Sequence, residues 1–228
     1  MKFSTIRIGL AGLALSAAAV SHAATLLSNL PNQVFGTQMS FAQVADNFTL
    51  AGTGTYSITS IDFWSLQELP GDYRGSVSWT IFNAELDGSI GSIRWAGVAT
   101  PTGAATGDSS GFGYAEYEFN ITVAISLTAG DGYWLALHNG GLGDTGDTEM
   151  FWETSDSGDA PAGMYKNLGL PVAEQVWLDT GNQHAFRIVG TRDGDPPPPG
   201  DVPEPGTLAL LVGAMLAAGT VRRQARKI

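Results

Sequence analysis

The stretch FGYAEYEFNITVAISL, residues 112–127, decides the fold. Counted in twos, it sets Tyr117, Phe119, Ile121, Val123 and Ile125 on one face and Glu116, Glu118, Asn120 and Thr122 on the other. A period of two belongs to a pleated strand, whose successive side chains leave opposite faces. The alternation predicts a half-buried antiparallel strand or strand pair, with one side packed and one wet. A helix would need apolar residues three and four apart, and no segment of the chain's central body carries such a stripe over three turns.

Shorter runs of the same kind flank it. Asp46–Leu50, Thr55–Leu66, Ser76–Asn83, Ile90–Val98, Asp131–His138, Glu149–Thr154, Val176–Asp179 and Ala185–Val189 are separated by Gly, Asp, Ser and Asn turns. Thr55–Leu66 changes phase near Ser60, which predicts a bulge. The Pro/Gly/Ala/Thr stretch Thr100–Ser110 reads as a flexible loop. Eight to ten strands of this length predict an all-β fold: one antiparallel two-sheet β-sandwich, jelly-roll-like or immunoglobulin-like. No repeat of 20 to 50 residues is visible, which argues against solenoids and propellers.

Charge narrows the function classes. Between Ala24 and Gly200 stand 5 Lys and Arg against 20 Asp and Glu, a net of −15. Such a body repels phosphate backbones, so nucleic acid is excluded as a partner; cations or a hydrated polysaccharide are better company. The chain has no cysteine, which removes disulfides and thiolate metal sites.

Both termini read as targeting segments. Lys2 and Arg7 precede an apolar run, Ile8–Val20, and Ser21-His22-Ala23 supplies the small residues that signal peptidase requires. Residues 1–23 are therefore read as a signal peptide, cut between Ala23 and Ala24. The domain is assigned to 24–192 and a Pro/Gly/Asp-rich linker to 193–201. Pro196 to Pro205 would reach roughly 30 Å as polyproline-like chain. The uncharged run 207–221 would be about 22 Å long as a helix, against a hydrocarbon core of about 30 Å, and predicts one short transmembrane helix. Arg222, Arg223, Arg226 and Lys227, in the basic tail 222–228, would hold its end on the cytoplasmic side.

The order of these parts, Val202-Pro203-Glu204-Pro205, a short Leu/Ala/Gly helix and an arginine cluster, resembles the PEP-CTERM sorting signal over residues 202–223. The resemblance implies a Gram-negative bacterium with an exosortase, a membrane-embedded transpeptidase-like enzyme that processes the tail near Pro-Glu-Pro. It further implies a precursor exported through the inner membrane, anchored there transiently by its C-terminal helix, and then a cell-surface or exopolysaccharide-matrix (biofilm) destination. DNFTL, ITSIDFW, GYWLALHN, MFWETS and AFRIVG, within residues 46–190, resemble the bodies of many short PEP-CTERM proteins. That likeness implies a β-sandwich and no particular activity.

Several constellations could carry chemistry. Gly107-Asp108-Ser109-Ser110-Gly111 fits G-x-S-x-G, but it lacks the strand-to-helix setting of a nucleophile elbow. His138 and His184, the histidines left after signal cleavage, read as polar residues at loop edges. Asp144, Asp147 and Glu149 lie in a Gly-rich acidic loop, 140–149, whose hard oxygens would suit Ca²⁺. Trp64, Trp152 and Trp177 lie near strand ends and are candidates for stacking on sugar rings; Trp79 and Trp134 sit in strand interiors and read as core. A glycosidase pair could be drawn from Glu116, Glu118, Glu149 and Glu153, though nothing in the sequence sets their separation. The expectation is a non-catalytic surface or matrix protein, with a carbohydrate- or calcium-binding module as the alternative and a secreted hydrolase as the weakest reading.

Overall fold

The computed structural model describes residues 23–146, 148–158 and 161–193. Residues 1–22 of the expected signal peptide, the linker from Gly194, the sorting motif, the segment 207–221 expected as a helix, the basic tail and Asp147 lie outside them. Among the described residues run fourteen strands: β1 (Ala24–Asn29), β2 (Pro31–Gln38), β3 (Ala42–Thr49), β4 (Thr55–Gln67), β5 (Val77–Ala84), β6 (Ile90–Ala99), β7 (Gly103–Ser109), β8 (Ala115–Thr128), β9 (Gly132–Asn139), β10 (Met150–Ser155), β11 (Met164–Asn167), β12 (Leu178–Asp179), β13 (Gln183–His184) and β14 (Phe186–Arg192). A 3₁₀ turn at Val172–Glu174 is the only helical element among them, and no helix there is long and apolar enough to cross a membrane.

The alternating strand β8 pairs antiparallel with β4 from Thr55↔Thr128 to Gln67↔Ala115. The register shifts between Ile58 and Ser60, where the sequence changes phase, so the bulge keeps apolar residues on the core side of both halves. β4 and β8 centre the first sheet. β14 and then β1 lie on one side of β4, with β7 beyond β8; β10 continues along the far part of β4 and carries β2 and β13. The second sheet runs β12-β11-β3-β9-β5-β6, antiparallel throughout.

One core lies between the sheets. Ile61, Phe63, Phe119, Ile121 and Phe186 from the first meet Val44, Phe48, Ile81, Tyr133, Leu135 and Leu137 from the second. Phe63 stacks on Phe119 at 5.1 Å, and Phe48 meets Phe186 edge-on at 5.8 Å across the gap. Each such side chain contributes about 1.5–3 kcal/mol by leaving water. This is the predicted antiparallel β-sandwich.

Three sequence expectations need correction. Thr100–Ser110 is not a loop for most of its length but the edge strand β7. Its Gly, Ala and Asp residues have little strand preference of their own, so pairing with β8 imposes the conformation. Gly103 makes the approach possible, since a Cβ there would lie 2.5 Å from the Phe119 ring. The strand expected from Phe112 begins at Ala115, because residues 110–113 form a turn closed by the Gly113 amide donating to the Ser110 carbonyl. Val176–Asp179 shortens to Leu178–Asp179, while β1, β2, β11 and β13 carry no alternation strong enough to be read beforehand.

The chain enters and leaves this sandwich at neighbouring points. Ala24, the first residue of β1, pairs with Gly190 of β14. Three residues on, the Asp193 amide donates to the Thr55 carbonyl, and Arg192 holds Thr53.

Candidate functional site

The Gly-rich loop between β9 and β10 is braced from within. Asp144 Oδ2 accepts from the Gly141 amide at 2.9 Å. Arg74 donates to the Asp144 carbonyl and, through Nε, to Thr148 Oγ1 at 3.2 Å. His138, expected at a loop edge, is fully buried, with Nδ1 3.0 Å from the Ala42 carbonyl oxygen and Nε2 3.1 Å from that of Asp144. Asn139 completes the frame by donating to Ser40 Oγ, the Asp72 carbonyl and Thr148 Oγ1. A guanidinium therefore braces the loop through the Asp144 carbonyl and the Thr148 hydroxyl. Glu149 turns to Tyr114, whose hydroxyl donates to it at 3.4 Å, and to Glu68, whose carboxyl is held above its ordinary range first by a hydrogen bond with Glu149. Among the described residues, no group of three or more His, Cys, Asp or Glu is placed to hold a metal ion.

The three candidate tryptophans separate. Trp152 is wholly buried and donates from Nε1 to the Ala185 carbonyl at 2.7 Å. Trp64 is 6% exposed and covered by the Arg187 guanidinium, 5.4 Å from its ring centre. Neither offers an open ring face. Trp177 is half-buried, set edge-on to Phe82 at 5.9 Å and capped by Lys166 Nζ at 4.8 Å. Trp79 and Trp134 belong to the core.

His184 is likewise buried, a correction to its loop-edge placing. It packs on the Trp152 ring at 4.9 Å, and Nε2 meets Thr37 Oγ1 at 2.9 Å. Burial pushes its pKa down to about 3, so the ring is neutral despite Asp46 Oδ2 at 3.9 Å from Nδ1. Ser109 of the G-x-S-x-G match ends strand β7, and Ser110 Oγ accepts from the amides of Phe112 and Tyr114, so both serines serve a turn.

The least ordinary chemistry lies on the outer face of the first sheet, where Asp62, Trp64 and Leu66 of β4 point away from the core. There Arg187 Nε and Nη2 each sit 2.7 Å from a carboxylate, that of Asp62 and that of Glu118 respectively, while Asn120 also donates to Asp62. Further along, Glu116 of β8 and Glu153 of β10 are 2% and 0% exposed. Burial first, then the neighbouring Glu116 charge and its hydrogen bond, raise Glu153 to about 8. Glu153 Oε1 accepts from the Gln33 amide at 2.9 Å, whereas the Oε2 atoms of both glutamates are buried without a conventional donor. A hydrogen bond between the two carboxyls needs one proton, and the raised Glu153 is the group that holds it. The backbone is bent to serve them: Gln33 adopts φ +59°, sparsely used by non-glycine residues, and its carbonyl receives the Gly111 amide from the β7–β8 turn at 3.2 Å. No spacing in the sequence joins these two glutamates, since they come together only through β4 lying between β8 and β10.

Residues 201–227 match the PEP-CTERM protein-sorting motif. The chain is thus a β-sandwich protein whose C-terminal residues match a motif that targets exported proteins to exosortase. No curated protein matches the chain.

Proposed function

We propose that the chain is a non-catalytic protein of the bacterial cell surface or exopolysaccharide matrix, delivered by its signal peptide and by exosortase processing of its tail, with the sandwich as its displayed part. The observation that carries this reading is the sorting motif at 201–227, placed directly after a body whose last strand ends at Arg192. The body's topology suits display. With β2, β7 and β10–β13 set aside, the remaining eight strands taken in chain order lie 1-8-3-6 in the first sheet and 2-7-4-5 in the second. We take this as a jelly roll, whose closely packed sheets leave the loops free to vary.

The sealed Glu116–Glu153 contact supports the non-catalytic reading, because glycoside hydrolysis needs about 5–9 Å between carboxyls and room for a sugar. For the Gly-rich loop, Arg74 supports an internal brace over a calcium site formed by Asp144 and Glu149. Trp177 remains the one candidate sugar platform of the three with a partly open ring. The test is intact mass of the cell-associated protein beside a variant lacking Pro203–Pro205. The natural chain is expected to lose the segments before Ala24 and beyond about Pro205, and the variant to keep its tail. Unchanged processing in the variant would refute exosortase recognition.

A further inference from the structure

The acids of the body are unevenly placed. Between Asp87 and Asp108 no carboxylate occurs, and Arg94 is the only charged side chain. Asn120–Gly130 carries no charge of either sign. These segments are β6, most of β7 and the latter part of β8, and the fold gathers them on one flank of the sandwich. β6 ends the second sheet, with β5 on one side and, among the described residues, no strand on the other. In the first sheet β7 reaches only to Phe119, so β8 beyond that point pairs with β4 alone. Trp95 Nε1 links the two edges by donating to the Ser126 carbonyl at 3.2 Å. A groove of about 410 Å³ opens beside it, lined by Trp79, Gly97, Val98, Thr100, Asn120 and Thr122 among others.

Proteins usually protect a free edge with lysine, proline, short length or a bulge. β6 has ten residues, with neither lysine nor proline, and leaves Ile93 64%, Trp95 40% and Val98 65% exposed. Register shifts opposite Ile81–Ala84 bend its first half. From Trp95 to Ala99 the pairing with β5 is regular, so the backbone groups on the outer side of this segment form a straight, apolar, acid-free edge.

We propose that this edge is a self-association site: two copies of the chain pair antiparallel through Trp95–Ala99 about a two-fold axis at Gly97, joining their second sheets into one. The occupant is a second copy for two reasons. Bodies of net charge −15 repel one another over most of their surface, and on this flank contact sets no carboxylate against another. An antiparallel edge is also its own complement under two-fold symmetry, so that Ala96 faces the partner's Val98 and Trp95 faces the partner's Ala99. The chemistry supplied is a row of backbone hydrogen bonds with Val98 and Ala96 packed above it.

Sedimentation of the mature protein across a range of concentrations tests the proposal. The expected result is a concentration-dependent dimer, tighter at high salt because screening weakens the general repulsion. Amide hydrogen exchange at residues 95–99 should slow as the dimer forms. Val98→Lys should weaken association by about tenfold or more, since like charges would then flank the axis. Its thermal midpoint in dilute solution should stay put, because Val98 is largely exposed. Val172→Lys, on the 3₁₀ turn, should leave association unchanged. A monomer at every concentration overturns the proposal. So does a dimer broken by Val172→Lys but not by Val98→Lys, or an edge whose amides are protected only when some other macromolecule is added.

Discussion

Replacing Glu153 by Gln should reshape the dependence of stability on pH. In the folded chain Glu153 holds its proton to about pH 8, against an ordinary value of 4.5. Between these limits the folded state binds the extra proton, so this group's contribution is complete below pH 4.5 and is lost as pH rises toward 8. At 1.36 kcal/mol per unit, the loss reaches about 5 kcal/mol. His184 works in the opposite sense. Its value falls from 6.5 to about 3, so it favours the folded state above 6.5 and is lost as pH falls toward 3. The two slopes cancel between pH 4.5 and 6.5, and the wild-type chain should show a plateau there. From 6.5 to 8 only Glu153 acts, and stability should fall by about 2 kcal/mol. Glu153→Gln keeps an acceptor for the Gln33 amide and gives Glu116 a permanent donor while removing the titration. The variant should therefore rise to pH 6.5 and then stay level. Urea unfolding followed by tryptophan fluorescence at closely spaced pH values measures both curves. Parallel curves, or a wild type that gains stability from pH 6.5 to 8, would refute the proton held by Glu153.

Other perturbations address separate parts of the structure. The imidazole of His184 should remain neutral in NMR titrations down to about pH 4, and titration near 6.5 in the folded protein would contradict its burial. Arg74→Lys cannot reach both the Asp144 carbonyl and Thr148, and should cost about 1–2 kcal/mol with faster proteolysis in residues 140–149. With Arg74 present, added calcium should leave the melting temperature unchanged; a rise would restore Asp144 and Glu149 as ligands. Gly163→Ala would put a Cβ 2.5 Å from His184 Nδ1 and should destabilise by about 1–3 kcal/mol in the same urea assay.

The parts legible in the sequence are those where a local pattern meets a sheet of matching period. β8 announces itself because every second residue from Tyr117 to Ile125 is apolar, and the bulge near Ser60 shows as a slipped beat. β7 is silent, because Gly103, Ala104 and Ala105 become a strand only when β8 lies alongside. The same holds for chemistry. Trp152 and His184 read as surface candidates from their positions near strand ends, yet both are wholly buried, Trp152 in the core between the sheets and His184 against its ring. The Glu116–Glu153 contact depends on β10 and β8 flanking one strand, a relation between residues far apart in sequence that no spacing encodes.

The pairing of β1 with β14 bears on how the protein is made. β1 finds its partner only when nearly the whole body has been made, so the first sheet cannot close early. A chain threaded through a narrow secretion channel must stay open for the passage, and this topology supplies the delay from within. With the proposed cut between Ala23 and Ala24, that bond would meanwhile stay within a protease's reach, until the last strand arrives and clasps Ala24 into the finished sheet.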